Sequence, residues 1–453
     1  MIAKKQIVAL LLCLAFSVSL AYQMRLSEPG RTVMVDFGGV YYGARCALRH
    51  IDPYDPVAVL QQFQSEGGRF LANPNAARES RFAVTWDVYL PSALFVVIPL
   101  ALLPWVVAQN LWILLTAALL ALAAVLMLNL GGKAASLLSC CLIGFMLANC
   151  ELLFKVGNVA GVAVSLCAIA AWCFINRRYE LAGVVLLAIS LLLKPHDAGF
   201  IWLFFLLSGG IMRKRALQTL ALTAVLGLCS ALWIAHSSPH WTRELHANLA
   251  AVSLPGGTSD PGLSGITSRG IVPIISLQSD LSIFDSGSRF YSPAAYTLGG
   301  ILVLIWAIAV LRKPFSRQGA LLSLASASVL TLLPIYHRTY DAKLLLLTVP
   351  ACASLWIARD PKRWTALVLT AAGIFFTSDI PIALSLKLAE PLPNNPPALP
   401  GKLLDLALLR PAPVFLLALG CFYLWTYLQY PSRRAILPHQ DETSTSPAMS
   451  GAT

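Results

Sequence analysis

Apolar runs long enough to cross a bilayer recur along this chain, and they leave little choice of fold. They lie at about 6–22, 88–130, 134–153, 157–175, 179–194, 198–211, 216–236, 291–311, 319–335, 343–358, 364–378 and 413–429. Crossing the hydrocarbon layer takes roughly 17–25 helical residues. Backbone in lipid must satisfy its own hydrogen bonds, so the runs are expected to be helices. Hydrophobic residues make up 57% of the 453 and charged ones 12%; a soluble domain carries about 25% charge and could not hide so much apolar surface. The expected fold is an all-α polytopic membrane protein of about 11–13 transmembrane helices, one domain over 1–430 with a polar, disordered tail at 431–453. The run 88–130 exceeds one upright helix and carries Pro99 and Pro104, so a span plus a re-entrant or interfacial piece is expected there. The runs 179–194 and 198–211 are short enough to be half-helices meeting at a break.

Positive charge sets the expected topology. Lys4 and Lys5, Lys133, Arg177-Arg178, Arg213-Lys214-Arg215, Arg312, Lys313 and Arg317, Arg359, Lys362 and Arg363, and Arg433-Arg434 fall in every second connection. Four acids share that side (Glu180, Asp360, Asp441, Glu442), so the whole formal excess of +12 belongs to it. The positive-inside rule makes this side cytoplasmic, with both termini on it. The excess charge is then topogenic and needs no nucleic-acid partner. The first run reads either as an uncleaved start-transfer helix or as a signal peptide, since Ser19-Leu20-Ala21 resembles a cleavage site. The long loops, 23–87, 237–290 and 379–412, all fall outside. Chemistry on that face lacks nucleotides, so an activated donor must arrive attached to lipid. The ten cysteines lie mostly inside apolar runs and form no CxxC pair, which reads as packing.

Within the first outer loop, the stretch Val33 to Arg45 holds one carboxylate, Asp36, among apolar and aromatic residues. It reads either as a general base for a hydroxyl or as the cap of the helix that follows. Asp52-Pro53-Tyr54-Asp55-Pro56 makes a rigid turn; its two carboxylates are too few for a metal site, and none is expected. Trp86, Tyr89 and Pro91 lead back into the membrane as interfacial aromatics or acceptor contacts. Three polar islands interrupt the apolar sequence: Glu151 to Asn158, Lys194-Pro195-His196-Asp197, and Tyr336 to Lys343. Ionisable groups at membrane depth face a cavity or a partner, or snorkel to the headgroups. Arg338, His337, Lys194 and Lys343 are the candidates for holding a lipid phosphate. The Gly/Ser/Pro-rich stretch 253–289 reads as a flap or a plain connection, and 388–400 as an extended Pro-rich segment.

These motifs, in order, resemble the polytopic GT-C glycosyltransferases, and most closely glycosyltransferase family 87, the polyprenyl-phosphate-mannose-dependent mannosyltransferases. The likeness rests on Asp36-Phe37 with Tyr41-Tyr42 and Ala44, Pro53-Tyr54, Tyr89 with Pro91, Leu102-Leu103-Pro104, Gly157-Asn158, Lys194-Pro195, and Tyr336-His337 with Asp341. It spans about 1–430. Two places depart from the family pattern: Tyr89-Leu90-Pro91 where Tyr-Pro-Pro is usual, and Lys155-Val156-Gly157-Asn158 where Gly-Gln-x-Asn is usual.

The resemblance implies a GT-C-type helical bundle with a large catalytic first outer loop. It implies inverting transfer of a sugar, mannose by likeness, from a polyprenyl-phosphate donor to a hydroxyl of a glycolipid or glycan, on the outer face of the cell (inner) membrane. Asp36 is the implied base, with no metal or other cofactor. Tyr41, Tyr42, Tyr54, Asn158 and Tyr336 are the expected substrate contacts. The rival reading is a polytopic lipid or sugar transporter or flippase without transferase activity. It predicts polar residues through mid-membrane and repeated halves, whereas the islands lie at one face and no repeat is seen.

Overall fold

The computed structural model describes residues 4–27, 34–68, 84, 86–262, 273–285, 287–389 and 399–430. The tail at 431–453, and residues 390–398 of the Pro-rich segment, lie outside them. The described chain is helical, with no strand among those residues.

Helix α1 (Lys4–Ser27) is followed by α2 (Val35–Leu48) and α3 (Pro56–Ser65). The long run then splits into α4 (Pro91–Ala101) and α5 (Trp105–Leu130), with Pro104 at the N-cap of α5. Proline has no N–H to donate and disfavours helical backbone before it, so the break falls there. Next come α6 (Ser136–Ala148), the short α7 (Glu151–Val156) and α8 (Ala160–Ile175). The two half-helices are α9 (Glu180–Leu193) and α10 (Pro195–Leu207), joined at Lys194 with φ −154° and ψ 80°. After α11 (Gly210–Ser237) come α12 (Trp241–Ser253) and α13 (Leu277–Phe284), so part of the 253–289 stretch is helical rather than loop. The chain continues through α14 (Ser288–Arg312) and α15 (Arg317–Leu332), then a 3₁₀ segment Asp341–Leu347 that runs into α16 (Thr348–Ile357). It closes with α17 (Arg363–Phe376), α18 (Asp379–Ala389), α19 (Leu399–Leu409) and α20 (Pro411–Gln429).

Among the described residues, five helices are long and apolar enough to cross a membrane: α1 over Lys4–Met24, α5, α11, α14 and α20. The pair α17 and α18, bent by 68°, forms a further broken span or re-entrant loop. Shorter apolar helices (α4, Lys133–Ala148, α8, α9 and α10) fill the bundle between them. The protein is an all-α polytopic membrane protein.

Burial sorts these helices into an inside and an outside. Helix α8 is buried all round, with Trp172 alone partly exposed, and α15 is buried from Gly319 to Leu332. A helix apolar on every side belongs inside a bundle. Small residues let neighbours approach: a Cβ at Gly161 of α8 would stand 2.6 Å from Thr116 Cγ2 of α5, the close packing typical of membrane interiors. By contrast, α11 exposes Leu217, Leu220, Val225, Leu228 and Leu232. Apolar side chains in such a row face lipid.

Candidate active site

Helix α2 places Asp36, and an aromatic bed places α2. Phe37 stacks on Trp112 (centroids 4.8 Å) and on Trp105 (5.6 Å). Tyr41 donates its hydroxyl to the Leu103 carbonyl at 2.7 Å. Tyr42 packs between Trp105 and Phe63. Tyr54 donates to the Tyr89 carbonyl at 2.9 Å and stacks on Trp241. All three tyrosines are buried in this second core. They form the platform beneath Asp36. Nearby, Asp52 accepts from its own loop at Tyr54 N, and Asp55 caps α3 through Val57 N, which accounts for that Pro/Asp turn.

Asp36 is not a helix cap. Helix α2 starts behind Met34 without a side-chain cap. Asp36, in the first turn and half-buried, instead accepts a hydrogen bond from Asn158 Nδ2 at 2.7 Å. The Asn158 Oδ1 accepts from Ala160 N, the first residue of α8, at 2.8 Å, and this second bond fixes which end of the amide faces Asp36. Gly157 makes the approach possible. Its φ of +69° suits glycine, and a Cβ there would stand 2.4 Å from Met34 Cε and 2.9 Å from Phe37 Cβ. Asn158 thus acts on the carboxylate, where substrate contact was expected.

Across from Asp36 lies the segment after α15. Arg338 and Lys194 are both near enough to pull on the Asp36 carboxylate, and the Tyr340 hydroxyl faces it. Burial pushes the Asp36 carboxyl above its usual range, against the pull of Arg338, Asn158, Lys194 and Tyr340. Arg338 donates to the Tyr336 hydroxyl and, at 2.6 Å, to the Thr258 carbonyl, and its guanidinium lies over the Tyr336 ring. Arg338 N donates to Asp341 Oδ2 at 2.8 Å, and Ile275 N donates to the His337 carbonyl at 2.9 Å. These bonds tie the segment to the 273–285 stretch.

Lys194, at the α9/α10 break, donates to Asp341 and lies 3.5 Å from Asp197 Oδ2. Its charge reaches the site from behind those carboxylates. His337 is wholly buried, with Nε2 3.2 Å from Asp197 Oδ1. Lys343 goes elsewhere: it donates to the Asn149 carbonyl at 2.9 Å and offsets the charge of Asp379, whose Oδ2 accepts from Leu152 N. It serves the first polar island rather than the Arg338 group. Tyr340, Asp197 and Asp341 were not among the expected site residues. The sequence signal for Tyr340 and Asp197 was membership of the polar islands; Asp341 also stood in the family motif with Tyr336-His337.

The carboxylate–guanidinium pair on a membrane scaffold narrows the chemistry, and comparison with known families decides the class. The model of glycosyltransferase family 87 matches residues 88–335. The chain belongs to glycosyltransferase family 87. No curated protein and no solved structure matches it. This family 87 protein is a membrane glycosyltransferase. The matched span contains Asn158 and Lys194, while Asp36 and the 336–341 segment flank it on either side. Chain packing brings the flanking residues back onto the matched bundle.

Proposed function

We propose that the protein transfers a sugar, mannose by family likeness, from a polyprenyl-phosphate donor to the hydroxyl of a glycolipid or glycan acceptor, with inversion. The observation that carries this reading is the Asp36 carboxylate, half-buried, held by Asn158 and set across from Arg338. Asp36 takes the acceptor's proton as that oxygen attacks the anomeric carbon. The bond from the anomeric carbon to the phosphate oxygen breaks in the same displacement, and its electron pair leaves with the polyprenyl phosphate. One displacement inverts the centre. A carboxylate whose proton affinity is raised by burial is a better base than one in water, provided that it is still ionised at working pH. Arg338 binds the phosphate directly with its guanidinium, and Lys194 adds its charge from the second rank. Tyr336 orients Arg338. The lipid tail lies along the bundle in the bilayer.

The charge distribution supports an extracytoplasmic site in the cell membrane, with both termini cytoplasmic. The test is transfer of radiolabelled mannose from polyprenyl-phosphate mannose in membranes. Wild-type protein transfers label, and Asp36→Asn, equally abundant and folded, loses at least about a hundredfold in rate, the lower range for a positioned acid–base group. Near-wild-type transfer by Asp36→Asn would remove the assigned base.

A further inference from the structure

We propose that His196, Asp197 and His337 form a binding site for one divalent transition metal of the zinc class. Their donor atoms all lie within 4.8 Å of one another. Asp197 Oδ1 stands 3.2 Å from His337 Nε2 and 3.9 Å from His196 Nε2. Tetrahedral zinc with bonds of about 2.0–2.1 Å sets neighbouring donors about 3.3–3.4 Å apart. The Asp197–His337 edge already has that length, and His196, whose side chain is partly exposed, has to close by about half an ångström. Two imidazoles and a carboxylate form a donor set used where a fourth position stays open to water or substrate.

A second, independent observation points to a ligand. Asp197 and His337 are both 0% exposed. Yet both Asp197 oxygens and His337 Nε2 lack an aligned hydrogen bond among the described residues, although the His337–Asp197 atoms meet at 3.2 Å. Buried polar atoms are normally partnered, and leaving them otherwise is costly. A metal ion would satisfy all three residues through lone pairs, which need no hydrogen-bond angle. The surroundings also orient the donors. His337 Nδ1 faces the Ile335 carbonyl at 3.2 Å, which favours a proton on Nδ1 and leaves the Nε2 lone pair free to ligate. Pro195 opens α10 at its first turn, which carries His196 and Asp197. His196, with a side chain 35% exposed, gives an ion a way in.

Charge agrees. Lys194 lies beside Asp197 Oδ2 but is paired with Asp341. With neutral histidines, Asp36, Asp197 and Asp341 outnumber Lys194 and Arg338 by one negative charge. A divalent ion reverses that to one positive, the complement of a singly charged sugar-phosphate diester. This last role rests on the transferase reading; the metal site does not.

The test uses the full chain in detergent, stripped with chelator and titrated with Co²⁺. One Co²⁺ per chain is expected, with visible absorption that Zn²⁺ displaces. His196→Ala, a change at a partly exposed side chain, weakens binding at least tenfold and bleaches the band, and Asp197→Asn does the same. Asp36→Asn keeps both stoichiometry and spectrum, so the result is independent of sugar transfer. No saturable Co²⁺ binding by the wild type, or binding unchanged in His196→Ala, overturns the site. Equal transfer by stripped and reloaded protein overturns the counter-charge role.

Discussion

Replacing Asn158 by alanine tests how the base is tuned. The substitution removes the 2.7 Å donor to Asp36 and leaves Arg338 and Tyr340 beside the carboxylate. A hydrogen bond to a charged group contributes about 1.5–3 kcal/mol. Losing it raises the Asp36 pKa further, because the donor favours the ionised form. The acidic limb of the transfer rate therefore moves to higher pH, while the rate on the alkaline plateau falls only about several-fold. The second bond of Asn158, accepted from Ala160 N, is lost as well; a lost hydrogen bond costs about 1 kcal/mol of stability and is read separately by thermal unfolding. The assay is initial mannose transfer in membranes from pH 5 to pH 9. Activity lost equally at all pH values, with no displaced limb, would mean that Asn158 holds substrate rather than tuning the base.

Three further variants probe the scaffold. Gly157→Ala puts a Cβ into Met34 and Phe37 at a left-handed backbone position. It should cost at least about 2 kcal/mol in detergent unfolding and depress transfer by displacing α2. Asp87 is buried beside Gly43 with Oδ2 unpartnered, and burial pushes its carboxyl up to about 8 from 3.8. The folded state therefore holds a proton that the unfolded chain has released, so stability is full below about pH 4 and falls by about 1.4 kcal/mol per pH unit as pH rises toward about 8. Asp87→Asn should flatten that slope in unfolding midpoints measured from pH 5 to pH 9, and an unchanged slope would exclude Asp87 as its source. Lys343→Gln removes the cation whose charge acts on the buried Glu151 and Asp379 and should lower the unfolding midpoint. Adding Asp379→Asn should recover part of that loss in the same measurement.

Run length and composition alone determined the fold class, because no chain this apolar can satisfy its backbone in water-filled folds or as sheet edges in lipid. Local chemistry also determined the breaks: Pro104 and Lys194-Pro195 end helices wherever the fold puts them. Asp36 was legible as a lone carboxylate in apolar company, and Gly157-Asn158 as a turn opening a helix. Their pairing was not, since Asp36 and Asn158 are 122 residues apart and only the seat of α2 on Trp105 and Trp112 brings them together. The same packing buries Tyr41, Tyr42 and Tyr54 in a core, which sequence could not foretell, because an aromatic side chain suits a core and a sugar equally well. It also separated Lys343 from Arg338, five residues away, by turning the chain through a buried 3₁₀ segment. Local residue chemistry names the groups that are costly to bury. Which opposite charge each of them meets is set by long-range packing, and that was decided only by the tertiary structure.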